Sequence, residues 1–218
     1  MAKPVKIILA GEGGQGVQSV AEIIAEAANE EGREVLYIPN FGVEQRGGVS
    51  VAYLQIGDEP IGAPKFLTGD IVIALSDRAV RRTTQYVGSA TLFVYDSSVK
   101  DAENALPKNA RKILGIPATQ VSKQELHPRV FNIIIMGAVL KVSGVVTIEN
   151  AKLALEQQLG YKFEKTPKLR ELNYRALERG VELVDRHIEE EDMLNGSNLQ
   201  WADPGSGEGL LDTVPRPL

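Results

Sequence analysis

Apolar residues in the first half of the chain come in short runs that are typical of buried β-strands. The predicted strands are residues 5–10, 33–38, 49–56, 71–75, 91–95 and 113–116. Apolar residues at helical spacing follow the first strand over residues 17–32, and a second helix is predicted over residues 77–87. Short apolar strands that alternate with helices predict a mostly parallel sheet with both faces covered.

The second half of the chain has the pattern of helices. Residues 129–142 are apolar all round, which predicts a buried helix. Thr147 is a predicted N-cap, and Thr166 followed by Pro167 opens a last helix that reaches Ile188. The fold class predicted from both halves is α/β: a Rossmann-like three-layer domain with a mostly parallel sheet and a helical C-terminal portion.

The charge is uneven along the chain. From residue 189 to the end there are seven acidic residues and one arginine, a net charge of −6, whereas the whole chain carries −5. We therefore predict a domain over residues 1–190 and an acidic tail over residues 191–218. The tail is either flexible or docks on a partner through Trp201, since aromatic side chains contribute much of the energy of protein interfaces.

Composition excludes several classes of protein. Hydrophobic residues make up 43% and charged residues 24%, as in ordinary globular domains. There is no cysteine, so this chain alone holds no disulfide, thiolate-bound zinc or iron–sulfur cluster. The two histidines, His127 and His187, are sixty positions apart, which disfavours a histidine-rich metal site.

Charge and hydropathy predict a cytoplasmic chain without nucleic-acid or membrane partners. Residues 1–188 carry a net charge of about +1, and they contain no basic stripe of the kind that binds nucleic acid. The longest apolar run, residues 133–140, is far shorter than the roughly 20 residues of a membrane span. The first strand begins at once, which leaves no room for a signal peptide.

Glycines cluster between the first predicted strand and helix, where residues 11–16 read G-E-G-G-Q-G. This glycine loop fits the pattern G-x-G-x-x-G. Glycines at such a turn allow positive φ angles and bring backbone N–H groups close to an anion at the helix N-terminus. The loop is predicted to bind an anion or to contact a facing subunit, the alternative being a plain tight turn. The candidate residues are Gly11, Gly13, Gly14, Gln15 and Gly16.

Two features disfavour a dinucleotide in the glycine loop. Residues 38–40, Ile-Pro-Asn, lack the acidic residue that would bind a ribose hydroxyl group. Glu12 would repel a pyrophosphate at the same helix N-terminus. No nucleophile–base pair stands out either, because Ser76 and Asp96 have the positions of helix caps or strand ends. We therefore assign no catalytic residue and no metal ligand.

A second glycine segment begins 25 residues after Gly16, and residues 41–48 read F-G-V-E-Q-R-G-G. The two segments in this order resemble the gamma subunit, or gamma domain, of the 2-oxoacid:ferredoxin oxidoreductases. That family carries a G-x-G-G-Q-G loop and then a [FY]-G-x-E-x-R-G-[GA] segment. The similarity covers roughly residues 3–186 and ends before the acidic tail.

The resemblance implies a division of labour among subunits. The family acts on pyruvate, 2-oxoglutarate, branched-chain 2-oxoacids or indolepyruvate. This chain would be its non-redox gamma subunit, not catalytic alone, in an enzyme that converts a 2-oxoacid to acyl-CoA and passes electrons to ferredoxin. Thiamine diphosphate, Mg²⁺ and [4Fe-4S] clusters are expected on partner alpha, beta and optionally delta subunits, with coenzyme A as co-substrate. The alternatives are a stand-alone Rossmann-like nucleotide-binding regulatory module and a purely structural subunit.

The second segment combines an acid, an amide and a guanidinium group between glycines. Such a set suits an intersubunit contact or a clamp on one end of the substrate, since arginine binds carboxylate or phosphate through two parallel hydrogen bonds. A contact between Glu44 and Arg46 that only stiffens the loop is the alternative. The candidate residues are Phe41, Glu44, Gln45, Arg46, Gly47 and Gly48.

Overall fold

The computed structural model describes residues 3–41 and 48–195. Within these residues the strands are β1 (Val5–Glu12), β2 (Glu34–Asn40), β3 (Val49–Gly57), β4 (Ile71–Ala74), β5 (Leu92–Asp96) and β6 (Lys112–Ile116). The α-helices are α1 (Val17–Glu30), α2 (Asp77–Thr83), α3 (Ala118–Glu125), α4 (Phe131–Ser143), α5 (Ile148–Lys165) and α6 (Lys168–Asn195). Short 3-10 turns occupy Thr84–Tyr86, Ala102–Ala105 and Pro128–Val130.

The strands form one six-stranded sheet in the order β2-β3-β1-β4-β5-β6. The neighbours β1, β4, β5 and β6 are parallel, which confirms the mostly parallel Rossmann-like sheet. β3 is antiparallel to both of its neighbours and lies between β1 and β2. The eight residues between β2 and β3 are too few for the crossover that a parallel neighbour needs, so the chain turns back as a hairpin.

Helices cover the two faces of the sheet unevenly. The main core lies on the face that carries α1, α3, α4, α5 and α6, and its buried side chains come from all of these helices. A smaller core lies on the other face, under α2 and the turn at Ala102–Ala105. The three-layer arrangement predicted from the apolar strands is therefore confirmed, with one thick and one thin helical layer.

The buried helix predicted over residues 129–142 is α4, and nearly all of its side chains are inaccessible to solvent. It packs against α6 more extensively than any other pair of helices in the described residues. The two helices cross at Gly137 and Gly180. A Cβ atom on Gly137 would overlap the carbonyl oxygen of Leu177, and one on Gly180 would overlap that of Ile134. The helix backbones are thus in direct contact.

Most predicted helix ends are observed, with three differences. Thr147 caps α5 by accepting a hydrogen bond from the Asn150 N–H group, as predicted. The predicted helix over 77–87 is shorter and ends in a 3-10 turn. α3 was not predicted, because only two of its side chains, Ala118 and Val121, are apolar and buried. α6 continues to Asn195, beyond the predicted helix end at Ile188. The tail prediction from residue 196 onward lies outside the described residues.

Candidate functional site

The glycine loop and the described ends of the second glycine segment lie at the same edge of the sheet. β1 ends at Glu12, where the glycine loop continues, and Glu12 pairs with Val49 at the start of β3. Asn40 at the end of β2 pairs with Val51. The connection between β2 and β3, residues 41–48, therefore leaves the sheet next to the glycine loop. Phe41 and Gly48, the two described ends of the second segment, therefore lie at the same edge of the sheet as the glycine loop.

The glycine loop has the backbone that its glycines permit. Gly14 has φ of 89° and Gly16 has φ of 76°, in the left-handed region that other residues rarely adopt. Gly16 also lies against the side chain of Asn132 on α4, which a Cβ atom at position 16 would overlap. Gly13 has open space around it and no such constraint. The sequence therefore fixes a sharp turn from β1 into α1.

The half-buried side chain of Gln15 acts as a brace, because it hydrogen-bonds to two separate segments of the chain. Its Oε1 accepts the Glu12 N–H at 2.6 Å, and its Nε2 donates to the Leu75 carbonyl oxygen at 3.1 Å. A Cβ atom on Gly11 would lie 2.8 Å from Gln15 Oε1, so glycine at position 11 makes room for the brace. The amide predicted to contact a ligand or a subunit thus holds the loop against the end of β4.

Among the described residues, no side chain caps the N-terminus of α1. Gly16 occupies the N-cap position and contributes no side-chain hydrogen bond, so no side chain there accepts from the first-turn N–H groups. These groups and the helix dipole favour an anionic partner. The backbone, rather than a side chain, is therefore what the glycine loop offers chemically to a phosphate or carboxylate group.

A hydrogen-bond network that sequence reasoning missed joins α1 to both strands that flank the connection. The Tyr37 hydroxyl donates to Gln18 Oε1 at 2.6 Å, and Gln18 Nε2 donates to Ser50 Oγ at 2.7 Å. Burial, followed by the charge of Glu22, raises the pKa of Tyr37 to about 12. The sequence signal was weak, because Gln18 reaches Ser50 only if β3 lies beside β1.

Of the second set of candidate residues, the structure describes the two ends of the connection. Phe41 is 68% exposed, which is unusual for a large apolar side chain and leaves it available to a partner. Gly48 is partly buried at the start of β3. Glu44, Gln45, Arg46 and Gly47 lie outside the described residues, so their roles stay predictions.

A pair of phenols lies on the thinly covered face of the sheet. The hydroxyl groups of Tyr53 and Tyr86 are 2.8 Å apart, and the Tyr53 ring also meets Phe66 edge to face. Burial, followed by the hydrogen bond with Tyr86, raises the pKa of Tyr53 to about 12. Tyr53 therefore stays protonated at neutral pH. The pair holds the 58–70 connection and the 3-10 turn after α2 against β3.

The hydroxyl and carboxylate groups that we had assigned to caps have that role. Ser76 Oγ accepts the Ala79 N–H at the start of α2. Asp96 is 1% exposed and accepts the N–H groups of Ser98 and Thr119, which fixes α3 to the end of β5. Ser76 therefore caps α2, and Asp96 anchors the first turn of α3.

The described residues contain neither a metal cluster nor a membrane-spanning helix. Residues 3–41 and 48–195 contain no cluster of three or more His, Asp or Glu side chains that could hold a metal ion. In the same residues no helix has both the length and the apolar composition that crossing a bilayer requires. His127 accepts the Arg129 N–H through its Nδ1 atom before α4, as expected of a loop residue.

Comparison with known families decides where the chain belongs. Residues 6–183 match the family described as pyruvate ferredoxin/flavodoxin oxidoreductase. The chain belongs to this family. The match begins in β1, ends in α6 and includes both glycine segments. The resemblance drawn from the two glycine segments is thereby confirmed.

Some relatives in this family are much longer than this chain. The chain is 29% identical over 187 residues to the ketoisovalerate oxidoreductase subunit VorA of Methanothermobacter thermautotrophicus. That alignment covers 86% of this chain but 38% of the relative, so the chain spans well under half of the protein that it matches.

Among solved structures, this chain matches both a separate gamma subunit and part of a much longer chain. The gamma subunit of a keto/oxoacid ferredoxin oxidoreductase from Geobacter sulfurreducens superposes with a TM-score of 0.68 at 26% identity, covering 83% of this chain and 98% of that one. The 2-oxoglutarate:ferredoxin oxidoreductase of Magnetococcus marinus, solved with 2-oxoglutarate, coenzyme A and succinyl-CoA bound, gives a TM-score of 0.78. It is 24% identical and the alignment covers 94% of this chain and 33% of that one, which shows the shared fold.

Proposed function

We propose that the chain is the gamma subunit of a multi-subunit 2-oxoacid:ferredoxin oxidoreductase. The enzyme would oxidatively decarboxylate a 2-oxoacid to acyl-CoA and pass electrons to ferredoxin in the cytoplasm. One observation carries the proposal: the family match spans residues 6–183, and the stand-alone gamma subunit from Geobacter sulfurreducens is covered over 98% of its length. This chain would support the reaction without performing it alone.

The donor groups of the chain are consistent with redox chemistry on other subunits. Iron–sulfur clusters are held by cysteine thiolates, and the sequence has none. We propose that the [4Fe-4S] clusters, and with them thiamine diphosphate and Mg²⁺, are bound by alpha, beta and optionally delta partners. Ferredoxin would meet the complex through those subunits.

For the glycine loop we propose contact with an anionic group, either a coenzyme A phosphate or a carboxylate of a facing subunit. Coenzyme A accepts the acyl group in the proposed reaction, and it is bound in the Magnetococcus marinus enzyme. The uncapped N-terminus of α1 and the left-handed Gly14 and Gly16 fit a phosphate by backbone N–H donation. Gln15 would act indirectly, by holding those N–H groups in place.

The topology disfavours the alternative of a dinucleotide-binding module. In the dinucleotide fold the second strand lies beside the first, and an acidic residue at its end binds the ribose. Here β3 separates β1 from β2, and β2 ends with Pro39 and Asn40. Titrating the purified chain with NAD, FAD, ATP and coenzyme A separates the two functions. Micromolar binding of NAD or FAD would favour the regulatory module.

Affinity purification from the native host, followed by assay, tests the proposal directly. We expect a thiamine-dependent subunit and a cluster-bearing subunit to co-elute. The eluate should reduce a viologen dye in the presence of coenzyme A and one of the candidate 2-oxoacids. Recovery of the chain alone, or turnover by the chain alone, would overturn the proposal.

Arg46 is the residue whose change best tests the β2–β3 connection. We expect Arg46→Ala to lower subunit assembly or 2-oxoacid turnover of the reconstituted complex, because alanine cannot bind a carboxylate or phosphate. The melting temperature of the isolated chain should stay nearly unchanged. Arg129→Ala, at an exposed position before α4, is the matched control and should affect neither. Unfolding of the isolated Arg46→Ala chain would contradict a surface role.

A further inference from the structure

The side chain of Gln18 joins the start of α1 to both strands of the β2–β3 hairpin. Gln18 is the second residue of α1, two positions after the glycine loop, and it is half-buried. Its Nε2 donates to Ser50 Oγ at 2.7 Å and to the Val51 carbonyl oxygen at 3.2 Å, both on β3. Its Oε1 accepts from the Tyr37 hydroxyl on β2 at 2.6 Å. One side chain in the first helical turn therefore contacts two strands.

These hydrogen bonds give the amide group of Gln18 one orientation. A glutamine amide has N–H donors on one side and a carbonyl acceptor on the other. The Val51 carbonyl oxygen only accepts, so Nε2 faces β3 and Oε1 faces Tyr37. Burial, followed by the charge of Glu22, raises the pKa of Tyr37 to about 12, so the hydroxyl group keeps the proton that it donates at neutral pH. An apolar side chain of equal length would fill the space without fixing this orientation.

The hydrogen bonds continue from Gln18 to both ends of the hairpin connection. Ser50 Oγ donates to the Asn40 carbonyl oxygen at 3.5 Å, a long and therefore weak bond. Asn40 is the last residue of β2, and Ser50 is the second residue of β3. These two residues flank the second glycine segment. The start of α1 is thus tied directly to one end of that segment and through Ser50 to the other.

A second glutamine ties the opposite end of α1 and provides a comparison within the same helix. Gln157 on α5 donates through Nε2 to Glu30 Oε1 at 2.6 Å. Glu30 is the last residue of α1, twelve residues after Gln18 and about 18 Å away along the helix. The bond at Glu30 holds α1 against α5, whereas the bonds of Gln18 hold α1 against the hairpin. Changes at the two glutamines therefore separate alignment of the hairpin from general attachment of α1.

We propose that Gln18 is a positioning residue that keeps the glycine loop aligned with Asn40 and Ser50, the strand ends that flank the second glycine segment. It acts through these groups and touches no substrate. The inference rests on the function proposed above, in which the glycine loop contacts an anionic group, either a coenzyme A phosphate or a carboxylate of a facing subunit. Groups that bind a ligand must be held within about 0.5 Å of their productive geometry, so loss of alignment weakens either contact.

Gln18→Met in the reconstituted complex tests this role, because methionine keeps the length of the side chain and removes its hydrogen bonds. We expect a rise of about five- to tenfold in one quantity, the typical effect of a lost hydrogen bond. A raised KM for coenzyme A identifies a phosphate as the anionic group, and a raised Kd for the partner subunits identifies a carboxylate. The KM for the 2-oxoacid should stay unchanged, and kcat should change much less than the affected constant. Gln157→Met is the matched control and should alter neither affinity.

Changes at Ser50 show whether the bond to β3 carries the effect. Ser50→Ala removes the acceptor of Gln18 and should raise the same constant, whereas Ser50→Thr keeps the hydroxyl group and should restore it. The double variant Gln18→Met, Ser50→Ala should resemble Gln18→Met alone, because both changes remove one shared bond. Effects that multiply in the double variant, or a lower melting temperature with both affinities intact, would overturn the positioning role.

Amide hydrogen exchange of the full chain, followed by NMR, tests the alignment without any activity. Gln18→Met should speed exchange about fivefold at the end of the hairpin that carries Tyr37 and Val51, because a local tether is lost. Exchange at the other end, where Glu34 pairs with Gly57, should not change. An unmodified complex without coenzyme-A-dependent turnover would refute the proposed function, and the exchange result would still decide the alignment. Equal exchange in the Gln18→Met and unmodified chains would overturn the role of Gln18.

Discussion

α4 and α6 cross so closely that neither Gly137 nor Gly180 has room for a Cβ atom. Gly137→Ala tests this close approach. The added methyl group would overlap the carbonyl oxygen of Leu177, an atom of the helix backbone that cannot rotate away. Overpacking of a core typically costs about 1–3 kcal/mol. A clash with rigid backbone belongs at the upper end of this range, and the better helix propensity of alanine returns about 1 kcal/mol. We expect a net loss of about 2 kcal/mol.

Thermal unfolding of the full chain measures this loss. For a protein of this size, 1 kcal/mol corresponds to about 2–4 °C in Tm, so Gly137→Ala should lower Tm by about 4–8 °C. Gly160→Ala is the matched control. Nothing lies near its Cβ position, so it should raise stability by up to about 1 kcal/mol.

A double variant tests the physical cause. Gly180→Ala should destabilise in the same way, because its Cβ atom would overlap the carbonyl oxygen of Ile134. One outward shift of α6 relieves both overlaps, so the pair of changes should cost less than the sum of the two. If Gly137→Ala proved as stable as the unmodified chain, direct backbone contact at this crossing would be refuted.

Two further changes test the contacts around the glycine loop. Gln15→Met keeps the length of the side chain but removes its hydrogen bonds to the Glu12 N–H group and the Leu75 carbonyl oxygen. Urea unfolding should therefore show a loss of about 1–3 kcal/mol in the free energy of unfolding. Gln85→Met on the surface should change this free energy by less than about 0.5 kcal/mol. The folded pKa of Tyr37, about 12, exceeds the ordinary value of 10, so its contribution to stability is complete below pH 10 and is lost as the pH rises towards 12. Tyr37→Phe should therefore flatten the fall in stability over this range. An unchanged slope would show that Tyr37 ionises as freely in the folded chain as in the unfolded one.

Features that depend on local sequence could be predicted. The spacing of apolar residues gave β1, α1 and β2, because burial of one helix face requires that spacing. Thr147 and Ser76 were found as caps, since a hydroxyl group before a helix has a local partner three residues on. The two glycine segments were found as a pair, and the family match includes both.

Features that depend on distant contacts could not be predicted. The place of β3 beside β1 follows from the hairpin and from core packing, and no local pattern encodes it. The network from Tyr37 to Ser50 and the brace from Gln15 to Leu75 both depend on that arrangement or on β4. The requirement for glycine at position 137 is visible only in the structure, where α6 crosses α4 at that residue. From the sequence alone, glycine inside a helix is only unfavourable.

The brace at Gln15 has a consequence for where anything can bind. α1 and α2 leave neighbouring strands β1 and β4 and cover opposite faces of the sheet, so a crevice is expected between the carboxyl ends of these strands, where α/β proteins commonly admit ligands. Gln15 crosses between the ends of these two strands, where its Nε2 donates to the Leu75 carbonyl oxygen. A ligand at this end of the sheet would therefore have to lie outside the hydrogen bond from Gln15 to Leu75 or break it.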